Sequence, residues 1–124
     1  MQKTNSFKDV EAWKKAHEFV LNIYKITETF PKNEIFGLSS QFRRAAISIA
    51  ANIAEGYKKK SNADKLRFYN MSQGSIEECR YYILLSSDLK YIVPENFIKL
   101  DTEIEFCSKL LNNYCRAILN NLNK

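Results

Sequence analysis

The chain has 124 residues, room for one domain, with 45% apolar and 27% charged residues, which excludes both a disordered polyelectrolyte and a membrane-embedded protein. Only 3 Gly and 2 Pro occur, too few for the turns of a β-sandwich or barrel, so the elements are few and long, which means helices. Lysine plus arginine outnumber aspartate plus glutamate by 19 to 14, an excess that makes an anionic partner worth considering without proving one.

The first helical period runs from Asp9 to Phe30. Val10, Trp13, His17, Val20, Tyr24 and Thr27 recur at three- and four-residue steps, and a second stripe of Ala16, Phe19, Ile23, Ile26 and Phe30 lies beside the first. A lone bundle needs one apolar stripe per helix, so the surplus, Phe19 and Ile23 included, predicts burial between copies of the chain. Five extra residues hidden would remove about 300 to 500 Å² from water, on the order of 10 kcal/mol gross before association costs. Pro31 ends the helix by disfavouring helical geometry at the residue before it.

The second helix spans Glu34 to Glu55 on a core stripe of Leu38, Phe42, Ala45, Ile49 and Ile53, with Gly56 where a C-terminal glycine cap belongs. The third opens at Ser61, with Asp64 three residues on as in a capping box, and continues to Tyr91. Phe68, Met71, Ser75, Cys79, Tyr82 and Leu89 mark one side of it; Tyr69, Ile76 and Ile83 mark the neighbouring side. The fourth runs from Pro94 to Leu122, and its seam of Leu100, Ile104, Cys107, Leu111, Tyr114 and Ile118 is the most regular in the chain. Long helices on short connections predict an all-α, antiparallel up-down-up-down four-helix bundle, one domain over residues 1–124.

Cys79, Cys107 and Cys115 form no CxxC pair, and His17 is the only histidine, so neither a disulfide framework nor a zinc site fits. The cysteines read as small buried hydrophobes, and His17 as a core histidine with its polar atoms satisfied. The N-terminus lacks the apolar segment of a signal peptide, and the stretch Ala45–Ala54 is about half the roughly 20 residues a membrane span requires. A cytoplasmic protein follows. No phosphate loop, nucleophile elbow or metal-ligand spacing occurs, so the chain reads as a non-enzyme with no cofactor and no metal.

Two polar features stand out. Gln41, Arg44, Ser48, Asn52 and Glu55 lie along one line of the second helix, flanked by alanines that let neighbouring helices approach. Asn70, Gln73, Glu77 and Arg80 form a matching stripe on the third helix, and Arg44 is expected to pair with Glu77 or Glu78. Such a stripe is an inter-helix network, an inter-subunit network or the lining of a groove or pore. The second feature is charge: residues 34–67 carry 7 cations against 3 carboxylates. Arg43, Lys58, Lys59, Lys60, Lys65 and Arg67 are the candidate phosphate contacts, with Lys14 and Lys15 behind them and Tyr57 available to stack. A solvated turn is the commoner meaning of a KKK run.

The segments FKDVEAWKKAHEFVLNIYKITETFP, LSSQFRRAAISIAANIAEGYKKKS and FYNMSQGSIEECRYYILLSSDLKYI carry a resemblance. The set Gln41, Arg44, Ser48, Asn52, Ile53, Ala54, Glu55 and Gly56, followed by Gly74, Ser75 and Glu77, resembles the bacterial 23S rRNA intervening-sequence protein family, also called the S23 ribosomal protein family. The resemblance implies a bundle that assembles into a ring, usually a homopentamer. It is also similar to the accessory proteins of diversity-generating retroelements, whose basic ring contacts nucleic acid and a reverse transcriptase. Two functions remain open: an oligomeric nucleic-acid-binding protein, RNA favoured, or a structural or adaptor ring whose basic loop is incidental.

Overall fold

The structure, a computed structural model, describes residues 5–122. Its elements are a 3-10 turn at Phe7–Asp9, helix α1 (Glu11–Thr27), a second 3-10 turn at Lys32–Glu34, and helices α2 (Leu38–Lys58), α3 (Asn62–Asp88) and α4 (Pro94–Leu122). There is no strand among the described residues. Each helix packs on its two neighbours in chain order and α4 returns to α1, closing a four-helix bundle.

The core is the side chains at its centre: Phe19 and Ile23 from α1, Phe42, Ile49 and Ile53 from α2, Tyr69, Ile76, Cys79 and Ile83 from α3, and Ile104, Cys107 and Leu111 from α4, all fully buried. The α2 stripe and most of the α4 seam are buried as their spacing predicts; Tyr114 is half-buried. All three cysteines are buried thiols, and burial pushes Cys107 up to about 12 and Cys115 up to about 11, so neither is a nucleophile at neutral pH.

Several expectations are corrected. On α1 Phe19 and Ile23 lie inside their own bundle, while the first stripe is buried only at its ends, Val10 and Thr27, with Trp13 and Val20 half-buried and His17 and Tyr24 exposed. His17 is therefore not a core residue; its ring stacks on Trp13 at 5.0 Å and 6° on the outer surface. On α3 the core takes Tyr69, Ile76 and Ile83 from one side and Ser75 and Cys79 from the other, whose Met71 and Leu89 are exposed.

The helix ends differ for local reasons. α1 stops at Thr27, whose hydroxyl donates to the Ile23 carbonyl at 2.6 Å and accepts from Arg43 Nε at 2.7 Å. α2 begins at Leu38, not Glu34, because the Glu34 carboxylate accepts the Leu38 N–H at 3.0 Å and acts as its cap. Gly56 is no terminal cap either, since the helix runs on to Lys58. What Gly56 supplies is room, as a Cβ there would stand 2.7 Å from Tyr69 Cε1. Ser61 does cap α3, accepting the Asp64 N–H at 3.1 Å. α3 closes with Lys90 in the left-handed region at φ 62° and the Tyr91 N–H donating to the Ser86 carbonyl.

Candidate nucleic-acid interface

The predicted cations fall into three groups. Lys58 and Lys60 are exposed at the α2–α3 junction. Lys59 Nζ lies 4.7 Å and Arg67 Cζ 5.3 Å from the centre of the Phe68 ring, and Arg67 reaches the Asp64 carboxylate at 3.9 Å. These four share one end of the bundle. The Phe7–Asp9 turn, which packs on α2, brings Lys8 to the same end.

Lys65 stands at this junction but turns inward. Its ammonium donates to the Tyr57 carbonyl at 2.5 Å and lies 5.2 Å from the centre of the Tyr57 ring, closing the α2 terminus, and burial lowers its pKa. Tyr57 is thus half-buried under a cation of its own chain. Arg43 lies toward the opposite end of α2, folded on α1: it donates to Thr27 Oγ1 and to the Tyr24 carbonyl at 3.3 Å, with its guanidinium 4.5 Å from the Tyr24 ring centre. Lys14 and Lys15 pair with Glu11 at 3.2 Å and Glu18 at 3.3 Å.

The polar stripe is half an inter-helix network and half a surface. Ser48 Oγ accepts from Ser75 Oγ at 2.8 Å, which ties α2 to α3, while Asn52 Nδ2 donates back along α2 to the Ser48 carbonyl at 2.9 Å. Gln41, Arg44 and Glu55 at its ends are exposed. Among the described residues Arg44 makes no ion pair with Glu77 or Glu78, correcting the expected pairing. Glu77 pairs with Arg80 instead, which also reaches Glu105 on α4 at 2.6 Å, and Gln73 donates to Asn112 on α4 at 2.8 Å. The α3 polar stripe therefore seals α3 to α4, while Glu78 accepts from Tyr82.

The larger surface feature was only partly legible. Between α1 and α2, on the outside, Phe7, Trp13, His17, Val20, Ala50, Ala51 and Ala54 line an apolar groove that Ile47 also borders. At the head of this groove, past Ile47, a cleft of about 810 Å³ opens between Tyr24, Ile35, Ser39, Ser40, Arg43 and Arg44. The alanines leave the groove open because they fill so little of it. Their small size was visible in the sequence; that they face outward was not, since period alone does not say which of two stripes points in.

Comparison with known proteins gives the kinship. The 23S rRNA-intervening sequence protein family model matches residues 8–113. The chain belongs to this family. A crystal structure of a protein of unknown function from the S23 ribosomal protein family, from Bacteroides thetaiotaomicron VPI-5482, is similar to this chain at 26% identity and TM-score 0.78. The match covers 84% of this chain and 97% of that one. No curated protein matches the chain. Among the described residues, no helix is long and apolar enough to cross a membrane, and no group of three or more His, Cys, Asp or Glu side chains is placed to hold a metal ion.

Proposed function

We propose that this protein is a non-catalytic, cytoplasmic oligomer that binds nucleic acid, RNA in preference, through its α2–α3 junction. The observation that carries the reading is the end of the bundle where Lys58 and Lys60 are exposed and Lys59 and Arg67 bracket Phe68. Cations held on a rigid helix terminus neutralise phosphates at little ordering cost, and the family's association with ribosomal RNA genes favours RNA. Self-assembly, five copies by family resemblance, would gather such ends together. Trp13, Val20, Ile47 and the alanines of the outer groove are the apolar surface a partner copy would cover.

That groove also favours a second reading, an adaptor ring in which the basic end is incidental. A filter-binding titration of unrelated RNA and DNA at two salt concentrations separates the two. Phosphate binding by six or more contacts loses about 10³-fold or more between roughly 50 and 200 mM salt. Replacing Lys58, Lys59 and Lys60 with Glu should abolish it. Undetectable affinity at low salt, or affinity indifferent to salt, overturns the nucleic-acid reading and leaves the adaptor.

A further inference from the structure

We infer that the outer α1–α2 groove receives the exposed ridge of α3 from a second copy of this chain, with Tyr81 of that copy entering the cleft at the groove's head. This rests on the self-assembly proposed above and names the surfaces that carry it.

The ridge is Met71, Gly74, Glu78 and Tyr81, spaced so that they stand in one line on the outside of α3. Met71 is 45% and Tyr81 57% exposed, and Gly74 and Glu78 are exposed between them. Gly74 is the informative residue. Glycine weakens a helix interior, so its presence there calls for a close approach. Inside this bundle nothing makes one: a Cβ at Gly74 would meet no atom within 4 Å. The close approach comes from outside.

The axial register supplies the match. Ser75 bonds Ser48, and Ser72 Oγ bonds the Ile49 carbonyl at 2.8 Å, so residues of α3 and α2 whose numbers sum to about 122 stand level. Rotation about an axis parallel to the helices preserves level. In such a ring Glu78 of one copy stands level with Arg44 of the next, Gly74 with Ile47, Met71 with Ala51, and Tyr81 with the cleft beside Arg43. An exposed arginine that makes no ion pair among the described residues thus meets a carboxylate, and a glycine meets the bulkiest aliphatic residue on the groove's α2 side. The groove is formed by α1 and α2 and the ridge by α3, so the contact is head-to-tail between two different surfaces, and repeated with a rotation that closes it builds a ring.

Light scattering of the wild type, Gly74→Leu and the charge-reversed pair Arg44→Glu and Glu78→Arg tests this. The wild type should be an oligomer. Gly74→Leu should stay helical by circular dichroism, since the bundle has space for it, yet fall to a single subunit, its association constant lowered by more than about tenfold. Each charge reversal alone should weaken assembly and the double reversal restore it, a result that does not depend on Gly74→Leu folding. An oligomeric wild type whose mass none of these changes alters overturns the contact and leaves self-assembly standing. A wild type that is already a single subunit overturns both.

Discussion

At the scale of single residues, two backbone positions carry opposite predictions. Gly56 is enclosed: an added Cβ would stand 2.7 Å from Tyr69 Cε1 and 3.0 Å from Phe68 Cβ. Tyr69 is fully buried, and the Phe68 Cβ moves only with the α3 backbone, so neither yields cheaply. Overpacking strain of about 1 to 3 kcal/mol therefore exceeds the gain in helix propensity, at most about 1 kcal/mol, and Gly56→Ala should destabilise by about 1 kcal/mol. Lys90 is the converse, a side chain held at φ 62° where the left-handed turn asks for glycine. Lys90→Gly should stabilise by about 1 kcal/mol. Urea unfolding of the two variants checks both signs; a stabilised Gly56→Ala would mean that α3 gives way more easily than its packing implies.

At the scale of elements, the two connections at one end of the bundle are tied through one carboxylate. Glu34 accepts the Leu38 N–H at 3.0 Å and the Tyr91 hydroxyl at 2.8 Å, and the Tyr91 ring lies 5.2 Å from Phe30. The backbone N–H first, and the tyrosine hydroxyl second, hold its pKa below the ordinary 4.5. A depressed carboxylate stabilises the fold above its unfolded pKa and loses that contribution as pH falls through the folded value. Glu34→Ala should therefore be less stable than the wild type at pH 7, with the gap closing as the solution is acidified below 4.5; a gap constant with pH removes the carboxylate from the account. Nothing in the sequence marks Glu34, because its partners come from a helix start and from a residue 57 positions away. The same limit explains the other misplacements. Pro94 and Ser61 announce helix starts through local chemistry, and both hold in the structure. The end of α3 carries no glycine or proline, so the periodic pattern ran on past Asp88. The α2–α3 junction was legible as a charge run, but that Lys65 and Arg43 are committed inside the fold depends on the helices they lean on, which composition does not reveal.

At the scale of the whole molecule, affinity would depend on how many basic ends one nucleic acid can touch. On the proposed reading, Lys58, Lys59, Lys60 and Arg67 would give one subunit only a few phosphate contacts, and an affinity built on these alone would be weak at physiological salt. In a ring whose axis runs along the helices every α2–α3 junction faces the same way, and an RNA long enough to cross several of them binds the later ones as an intramolecular event. Effective concentration then multiplies affinity by on the order of 10² or more with no new type of contact. Gly74→Leu keeps all four cations, so any change in its binding reports assembly rather than local chemistry. It should bind a long RNA on the order of 10²-fold more weakly than the assembled protein does, and its log affinity should fall less steeply with log salt, because fewer phosphates are neutralised. For an oligonucleotide short enough to span one subunit the two proteins should bind alike. Equal affinity for the long RNA would show that one basic end suffices, and would leave the ring a role in architecture instead of recognition.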